Sequence, residues 1–301
     1  MRINIIVSLF VFFCAVSLHA DDGYVVKVVY KGSDPKPLFS NDFEEGHKET
    51  SVLEETVSTL IAENDETNVK AFYSVTLQFV EDLVVDKVME DGSYHVVGEV
   101  KEVNALSSKG ADVEQIREKI KKTFDPDNAG FSYTVNADGY SFCSDIVKTK
   151  KDIANTFSSK DILDVLKRYP RKPQEDVGAG AVWEYSIPIK LESGFAMTVS
   201  GTCRMLELRE DSYDVVCHEY GKADSGMRVK SDKNPEKEKM MNVDGELALH
   251  SNKTIYAGRI VGDEKTVFDL RLHFYNETAS DEESSEKPVD IYIKFQNISK
   301  S

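Results

Sequence analysis

The feature of this chain that most restricts its fold is an alternation of apolar and polar residues with a period of two. The segment AFYSVTLQFV shows it most clearly, with an apolar set of Ala71, Tyr73, Val75, Leu77 and Phe79 set against the polar Ser74, Thr76 and Gln78. Such a period gives a strand one buried face and one solvated face. About twelve segments of this kind follow one another along the chain.

Short turns join most of these segments. The predicted turns are Asp91-Gly92, Asp138-Gly139, Ser193-Gly194, Glu210-Asp211, Ser251-Asn252 and Gly262-Asp263. Strands joined directly by hairpins form antiparallel sheets and not βαβ units. The sequence therefore predicts a mainly β fold of antiparallel, hairpin-rich sheets with two or three short helices. The sheets form either two β-rich halves or one half-barrel-like assembly.

Helical patterns are few. The residues Val113, Ile116, Ile120 and Phe124 recur at three- and four-residue spacings, which predicts an amphipathic helix. A second helix is predicted in FSSKDILDVLKRYP, from a serine cap to Pro170. The segment SVLEETVSTLIAEN fits a helix better than a strand, through Val52, Leu53, Val57, Leu60 and Ile61. We predict an N-terminal β-rich half over residues 21–143, a helical connection over 144–172 and a C-terminal β-rich half over 173–301.

The first twenty residues have the order of a secretory signal peptide. A single positive charge at Arg2 precedes an apolar run from Ile5 to Val16, and the small residue Ala20 follows. The run is shorter than the about 20 residues of a membrane-spanning helix, and no second run of that length follows. We therefore expect cleavage after Ala20 of a 1–20 signal peptide. The mature chain is expected to be secreted, periplasmic or extracellular, without a membrane-spanning segment.

The chain is acidic, with 53 Asp and Glu residues against 37 Lys and Arg residues and a formal net charge of −16. Nucleic acids and anionic membranes are bound by basic patches, so this balance argues against both as partners. The partner that remains open is a lipid or another protein. The acidic segment NETASDEESSEKP interrupts the last hairpin and is predicted to be a mobile loop.

A Gly-x-Gly sequence precedes the single tryptophan, in VGAGAVWEYSIPIKL. A dinucleotide-binding loop needs a strand before its glycines and a helix after them, but a strand-like segment follows Gly178 and Gly180 here. We therefore expect the glycines to turn the chain into a strand and Trp183 to anchor the core or the sheet. No nucleotide cofactor is predicted.

Metal-binding and catalytic patterns are incomplete in this chain. The segment DPDNAG begins like a calcium loop, but Ala129 stands at the fifth position, which needs an acid or Asn, and Asn136 stands at the twelfth, which needs Glu. No ligand-spaced pair occurs among the histidines of the mature chain, which are His47, His95, His218, His250 and His273. There is no nucleophile elbow, and nothing beside Cys143 indicates a reactive thiol. We expect no metal, no cofactor and no catalytic residue; the ligand-binding residues are unknown.

Three cysteines remain after the leader, Cys143, Cys203 and Cys217, and export permits a disulfide. A three-residue loop at Arg209–Asp211 would place Leu208 opposite Ser212, and it would therefore place Cys203 opposite Cys217, within reach of a disulfide. A loop longer or shorter by one residue would put the two cysteines on opposite faces. The alternative is two small apolar residues in adjacent strands.

Three Asn-x-Ser/Thr sequences, at Asn252, Asn276 and Asn297, are candidates for glycosylation if the export route is eukaryotic. Asn276 stands at the head of the acidic segment.

Taken in order, five segments carry a resemblance to a known family. They are VVDKVMEDGSYHVVGEVKEV, FSYTVNADGYSF, LKRYPRKPQEDVGAGAVWEYSIPI with its Val-Gly and Gly-x-x-Trp, MTVSGTCRMLELREDSYDVV and GELALHSNKTIYAGRI. The chain resembles, over most of residues 70–276, a family of exported bacterial β-rich proteins, often lipoproteins, classed as a domain of unknown function. It departs from them in lacking a lipid-attachment cysteine and in its acidic insert. The resemblance implies an exported β architecture and supplies no catalytic residues.

Three function classes follow from these observations. The first is an exported, non-catalytic interaction or structural protein of an envelope or extracellular surface, which would have a filled core and an acidic exterior. The alternative is a carrier or binding module for a lipid or other apolar ligand, which would have an unfilled apolar concavity. The third is a hydrolase with scattered active-site residues, which would hold a histidine beside an acid or a serine in a cleft.

Overall fold

The computed structural model describes residues 25–38, 43–63, 69–110, 112–125, 130–135, 141–145, 173–190, 196–231, 234–275 and 289–300. These residues form fourteen strands and one helix, α1 (Val113–Thr123). The strands are β1 (Val25–Tyr30), β2 (Ser33–Lys36), β3 (Lys48–Glu63), β4 (Val69–Val88), β5 (Tyr94–Lys109), β6 (Gly130–Val135), β7 (Ser141–Asp145), β8 (Val177–Ala179), β9 (Val182–Lys190), β10 (Ala196–Leu208), β11 (Ser212–Ser231), β12 (Asn234–Tyr256), β13 (Asp263–Tyr275) and β14 (Val289–Lys300).

Twelve of these strands form one sheet in the order β1-β9-β10-β11-β12-β13-β14-β3-β4-β5-β6-β7, and β2 pairs with β8 in a second, small sheet. Every pairing in both sheets is antiparallel. The predicted mainly β, antiparallel fold is therefore confirmed. Strands from both predicted halves lie in the large sheet, because β14 pairs with β3 and β1 pairs with β9.

The period-two alternation of the sequence divides the large sheet into a buried inner face and a solvated outer face. In β10, Met197, Val199, Gly201, Cys203 and Met205 are buried, and the residue between each successive two of them is exposed. The largest core cluster lies on the inner face of β9–β13 and surrounds Trp183. A second cluster is centred on Leu83, Val85, Val96 and Ile260. Burial of this apolar surface is the main force that holds the sheet in one register.

The helix α1 covers a third cluster, formed with Val103 and Ala105 of β5. Its apolar stripe packs Val113, Ile116 and Ile120 against that strand, as the spacing predicts. Asp112 caps its first turn by accepting a hydrogen bond from the Glu114 N–H at 2.9 Å. Two lysines in its last turn complement the helix dipole.

The prediction of a helix in SVLEETVSTLIAEN was wrong, because this segment lies within β3. Val52 pairs with Lys300 of β14 on one side and with Val80 of β4 on the other, and the pairing continues to Ile61. Pairing on both edges satisfies the backbone of the whole segment, and this outweighs the helical spacing of its apolar residues.

The predicted turn at Ser251-Asn252 was also wrong. Both residues lie inside β12, where Ser251 pairs with Cys217 of β11 and with Thr266 of β13. The chain turns after Tyr256 instead, where Gly258 has φ 70°. The Asp91-Gly92 turn is confirmed: Gly92 has φ 79°, and the Asp91 carboxylate accepts a hydrogen bond from the Ser93 N–H at 2.9 Å.

Several predictions fall outside the described residues. These are the signal peptide 1–20, the turns at Asp138-Gly139 and Ser193-Gly194, the second helix up to Pro170, most of the connection 144–172, and the acidic segment 276–288.

Candidate functional site

The predicted cysteine pair is present in the β10–β11 hairpin. Cys203 faces Cys217, their Sγ atoms are 1.98 Å apart and their Cα atoms 4.1 Å apart, and both residues are buried in the main core cluster. The loop that leads to this pairing differs from the predicted three-residue loop. Leu208 pairs with Tyr213, which leaves four loop residues, and a register shift between Met205 and Glu207 leaves Leu206 as the extra residue on β10. This bulge offsets the longer loop, so the cysteines still meet.

The Gly-x-Gly sequence leads into a strand, as predicted, and it begins within a short strand, β8, that was not predicted. Gly178 belongs to β8 and Gly180, with φ 82°, turns the chain towards β9. Gly178 donates a hydrogen bond to the Lys31 carbonyl at 2.8 Å, and a Cβ atom at this position would overlap the backbone of Ser33. The glycine is therefore needed for the close approach of β2.

Trp183 lies in the core beside the disulfide, opposite Cys203 on the adjacent strand. The residue is 1% exposed, and its indole Nε1–H has no hydrogen-bond acceptor in the described part of the chain. An indole N–H that is removed from water without an acceptor costs free energy.

The inner face also carries a buried ion pair. Lys253 Nζ lies 3.2 Å from Glu264 Oε1, and their side chains are 5% and 14% exposed. Thr266 donates a hydrogen bond to the same carboxylate, and Ser251 and Ser299 are buried close by in the register. The Thr266 hydroxyl and the opposite charge together compensate the removal of both charges from water.

The outer face is held by polar pairs between neighbouring strands, and we call this set the outer ladder. Its members are Ser58–Ser74 at 2.9 Å, Thr56–Thr76 at 2.9 Å, Gln78–Glu54 at 3.2 Å, Tyr220–Glu246 at 3.3 Å, Lys294–Asp269 at 3.7 Å and the cation–π pair Arg271–Tyr292 at 5.8 Å. The polar residues of the AFYSVTLQFV alternation thus lie together on the outer face, as the period of two predicts. They are half-buried, as are Tyr73, Val75, Leu77 and Phe79 on the inner face, so the predicted contrast in burial is not seen in this segment. Cross-strand pairs of this kind stabilise a sheet without covering it.

Two histidines meet on the same outer face. His218 of β11 and His250 of β12 lie directly opposite each other, with their Nδ1 atoms 3.1 Å apart and their ring centroids 4.5 Å apart. His218 is exposed and His250 is half-buried. Burial, and then the neighbouring His218, lower the pKa of His250. The sequence spacing could not reveal this pair, because it arises from the register of two long strands.

The other histidines lie apart from this pair. His47 Nε2 lies 3.3 Å from Glu49 Oε1, His95 Nδ1 lies 3.4 Å from Asp86 Oδ2, and the ring of His273 stacks on Tyr275. The Glu49 carboxylate also accepts hydrogen bonds from the N–H groups of Ile260 and Val261, and so holds the β12–β13 turn. Among the described residues, no group of three or more His, Cys, Asp or Glu side chains is arranged to hold a metal ion.

The remaining predicted positions are dispersed. Asn252 is exposed on β12, Asn297 lies in β14, and Asn276 lies outside the described residues. Cys143 lies in β7, where it pairs with Tyr133. No described helix has the length and apolar character needed to cross a membrane.

No protein-family model and no curated protein matches the chain. Among solved structures, OmpF from Salmonella typhi in complex with daunomycin is 6% identical, with 87% of this chain and 100% of that chain covered and a TM-score of 0.24. OpdQ from Pseudomonas aeruginosa is 6% identical (84% and 97% covered, TM-score 0.23). A BenF-like porin from Pseudomonas fluorescens is 6% identical (84% and 99% covered, TM-score 0.20). With TM-scores this low, these similarities carry no argument about this chain.

Proposed function

We propose that this chain is an exported, non-catalytic interaction protein of an envelope or extracellular surface, and that it recognises its partner with the outer face of its large sheet. The observation that carries the proposal is the contrast between the two faces. On the inner face, the side chains of Trp183, Met205, Leu83 and Leu247 are almost wholly buried. A core that is filled in this way leaves the outer face as the broad surface on which a partner can be recognised.

The outer face has the composition of a recognition surface. Tyr220 is 51% exposed, and it belongs to the outer ladder with Tyr292 and Arg271. The histidine pair lies on the same face. Tyrosine and arginine are enriched where proteins bind each other, because each offers apolar area together with hydrogen-bonding groups. The signal-peptide pattern of the first twenty residues supports the exported location.

One observation favours a second candidate, a carrier for an apolar ligand with a polar head. The Trp183 Nε1–H is a buried donor without an acceptor among the described residues, and it lies in an apolar interior. The carbonyl oxygen of an acyl chain or ester would accept this hydrogen bond. Such a ligand would have to enter between side chains that are closely packed, and the interaction protein is therefore our first choice.

Native mass spectrometry of the purified mature protein separates the two candidates. An interaction protein gives the mass of the chain alone, whereas a carrier retains a lipid.

Since Trp183 is the single tryptophan, its fluorescence reports directly on the interior. We expect no change in the tryptophan emission on titration with a fatty acid or phospholipid. The variant Trp183→Phe is the control, because it lacks this emission. A bound lipid together with a shifted emission would overturn the first candidate in favour of the second.

Recognition by the outer face is tested by site-specific photo-crosslinking in the native host. A photoreactive amino acid replaces Tyr220 on the outer face, and a matched control carries it at Glu118 on the exposed side of α1. We expect a discrete crosslinked product from position 220 alone. The absence of a product at 220, or the same product at both positions, would contradict this assignment.

A further inference from the structure

The contact between the two histidine Nδ1 atoms needs a chemical explanation. Each neutral imidazole has one N–H donor and one lone pair on its ring nitrogens. Two facing nitrogens at 3.1 Å are therefore joined either by an N–H···N hydrogen bond or by a metal ion that both lone pairs bind. The two nitrogens are close enough to bind one ion together, and His218 is exposed to solvent.

We propose that His218 and His250 form a bidentate site for a divalent transition-metal ion that favours imidazole ligands, namely Cu²⁺, Ni²⁺ or Zn²⁺. Imidazole nitrogens bind such ions at about 2.0–2.1 Å. Two nitrogens 3.1 Å apart at this distance subtend an angle of about 95–100° at the ion. This value lies between the right angle of a square-planar site and the angle of a tetrahedral one, so the separation of the two nitrogens suits either geometry.

The strands around the pair hold the rings in place. The backbones of β11 and β12 are paired throughout this region, with Thr202 of β10 opposite His218 and Val267 of β13 opposite His250. On the inner face, the residue next to His218 is Cys217, which belongs to the buried disulfide. Ligands on rigid strands are better preorganised than ligands on loops.

The surroundings decide how strongly the site binds. The nearest charged positions of the outer face on the adjacent strands are Arg204 of β10 and Lys265 and Asp269 of β13, and Glu184 lies one strand further, on β9. Because no third His, Cys, Asp or Glu ligand joins the pair within the described residues, water completes the coordination. A site with two protein ligands and water is open to exchange and to a ligand from a partner. The expectation from sequence of no metal rested on short ligand spacing, which a cross-strand pair does not have.

The test is metal binding by the mature protein after removal of any affinity tag and treatment with a chelator. Isothermal titration with Cu²⁺, Ni²⁺ and Zn²⁺ is compared for the wild type, His218→Ala, His250→Ala and the matched control His273→Ala. We expect one ion per chain, at least tenfold weaker binding in each of the first two variants, and unchanged binding in the control. The paramagnetic resonance spectrum of the Cu²⁺ complex should show two nitrogen ligands in the wild type and at most one in either variant.

Thermal unfolding without metal verifies that the variants are folded, which is expected because the ring of His218 is exposed. Added metal should raise the unfolding temperature of the wild type and of His273→Ala, but not that of the other two variants. The proposal is overturned if the wild type binds no ion at one-to-one stoichiometry. It is equally overturned if His218→Ala and His250→Ala bind as tightly as the wild type.

Discussion

At the scale of single residues, Asp214 illustrates how one side chain connects two hairpins. Its carboxylate accepts hydrogen bonds from Arg209 at 2.7 Å and from Thr254 of β12 at 2.8 Å. Partial burial acts to raise the pKa of Asp214, but these two hydrogen bonds outweigh it and hold the pKa below its usual range. The carboxylate therefore stabilises the fold above the unfolded pKa of about 3.9, and this contribution is lost as the pH falls through the folded pKa.

We expect Asp214→Asn to lower the free energy of unfolding at pH 7 by about 1 kcal/mol, a value reduced for solvent screening. The difference from the wild type should shrink as the pH falls below 4, since both proteins then lack the charge. Urea unfolding over this pH range measures it. Asp269→Asn, which removes the exposed partner of Lys294, is the control and should change stability by less than about 0.5 kcal/mol. An equal loss in both variants would show that position 214 has no special role.

Gly201 is a residue whose missing side chain has a structural purpose. The ring of Tyr185 on β9 crosses over this glycine of β10, and its hydroxyl donates a hydrogen bond to Glu219 on β11. A Cβ atom at position 201 would overlap the ring, so Gly201→Ala must displace Tyr185 from this bond. We expect a loss of about 1–3 kcal/mol in the free energy of unfolding, measured by chemical denaturation.

The control for this variant is Gly130→Ala in β6. Its added Cβ would meet only the Gly98 carbonyl oxygen, at an ordinary distance of 3.8 Å. We expect a change below about 0.5 kcal/mol there. A Gly201→Ala protein as stable as the control would mean that the tyrosine ring can move aside without cost.

At the scale of elements, the β10–β11 hairpin carries the disulfide between Cys203 and Cys217. The disulfide closes a short loop and so restricts the unfolded chain only moderately. Removing the disulfide in the double variant Cys203→Ala/Cys217→Ala should lower the free energy of unfolding by about 3 kcal/mol. Peptide mapping without reduction should recover one linked peptide pair from exported protein. A link from either residue to Cys143, or three free thiols, would contradict the pairing.

The same hairpin shows how far sequence reasoning reaches. The apolar segments identified both strands of this hairpin, but the predicted cysteine pairing holds only because the bulge at Leu206 offsets the one extra residue of the loop. The loop length itself could not be predicted, since the bulge at Leu206 has no distinct sequence pattern. The segment of β3 was misassigned because its apolar residues satisfy a helical spacing, and only its neighbours β14 and β4 decide between the alternatives.

The histidine pair could not be predicted from the sequence for a related reason. His218 and His250 meet only if the register of β11 and β12 is known over their whole length, and a shift of one residue would send one ring to the inner face. The tryptophan was easier to place, because a strand after two glycines and an apolar aromatic side chain both indicate a buried position.

At the scale of the whole molecule, one continuous sheet unites the two β-rich segments of the chain. The N-terminal segment contributes β1 at one end and β3–β7 at the other, with β9–β14 between them. We therefore expect a single cooperative unfolding transition, with equal calorimetric and van't Hoff enthalpies. The disulfide is kept intact in this experiment. Two separate transitions would mean that the segments unfold as independent domains.

The position of β1 in the sheet has a consequence for the folding of a newly made chain. The strand β1 is the first described strand to be synthesised, and it pairs with β9. Val25 therefore cannot form its strand pairing until Ser186 has been synthesised. Until then the apolar stretch VVKVVY has an unpaired backbone, and such a strand associates readily with other chains. Pairing between two strands that lie so far apart in the sequence is also slow. A newly made chain thus depends on protection of this first strand, and the yield of folded protein should be limited by how quickly the strand pairs with β9.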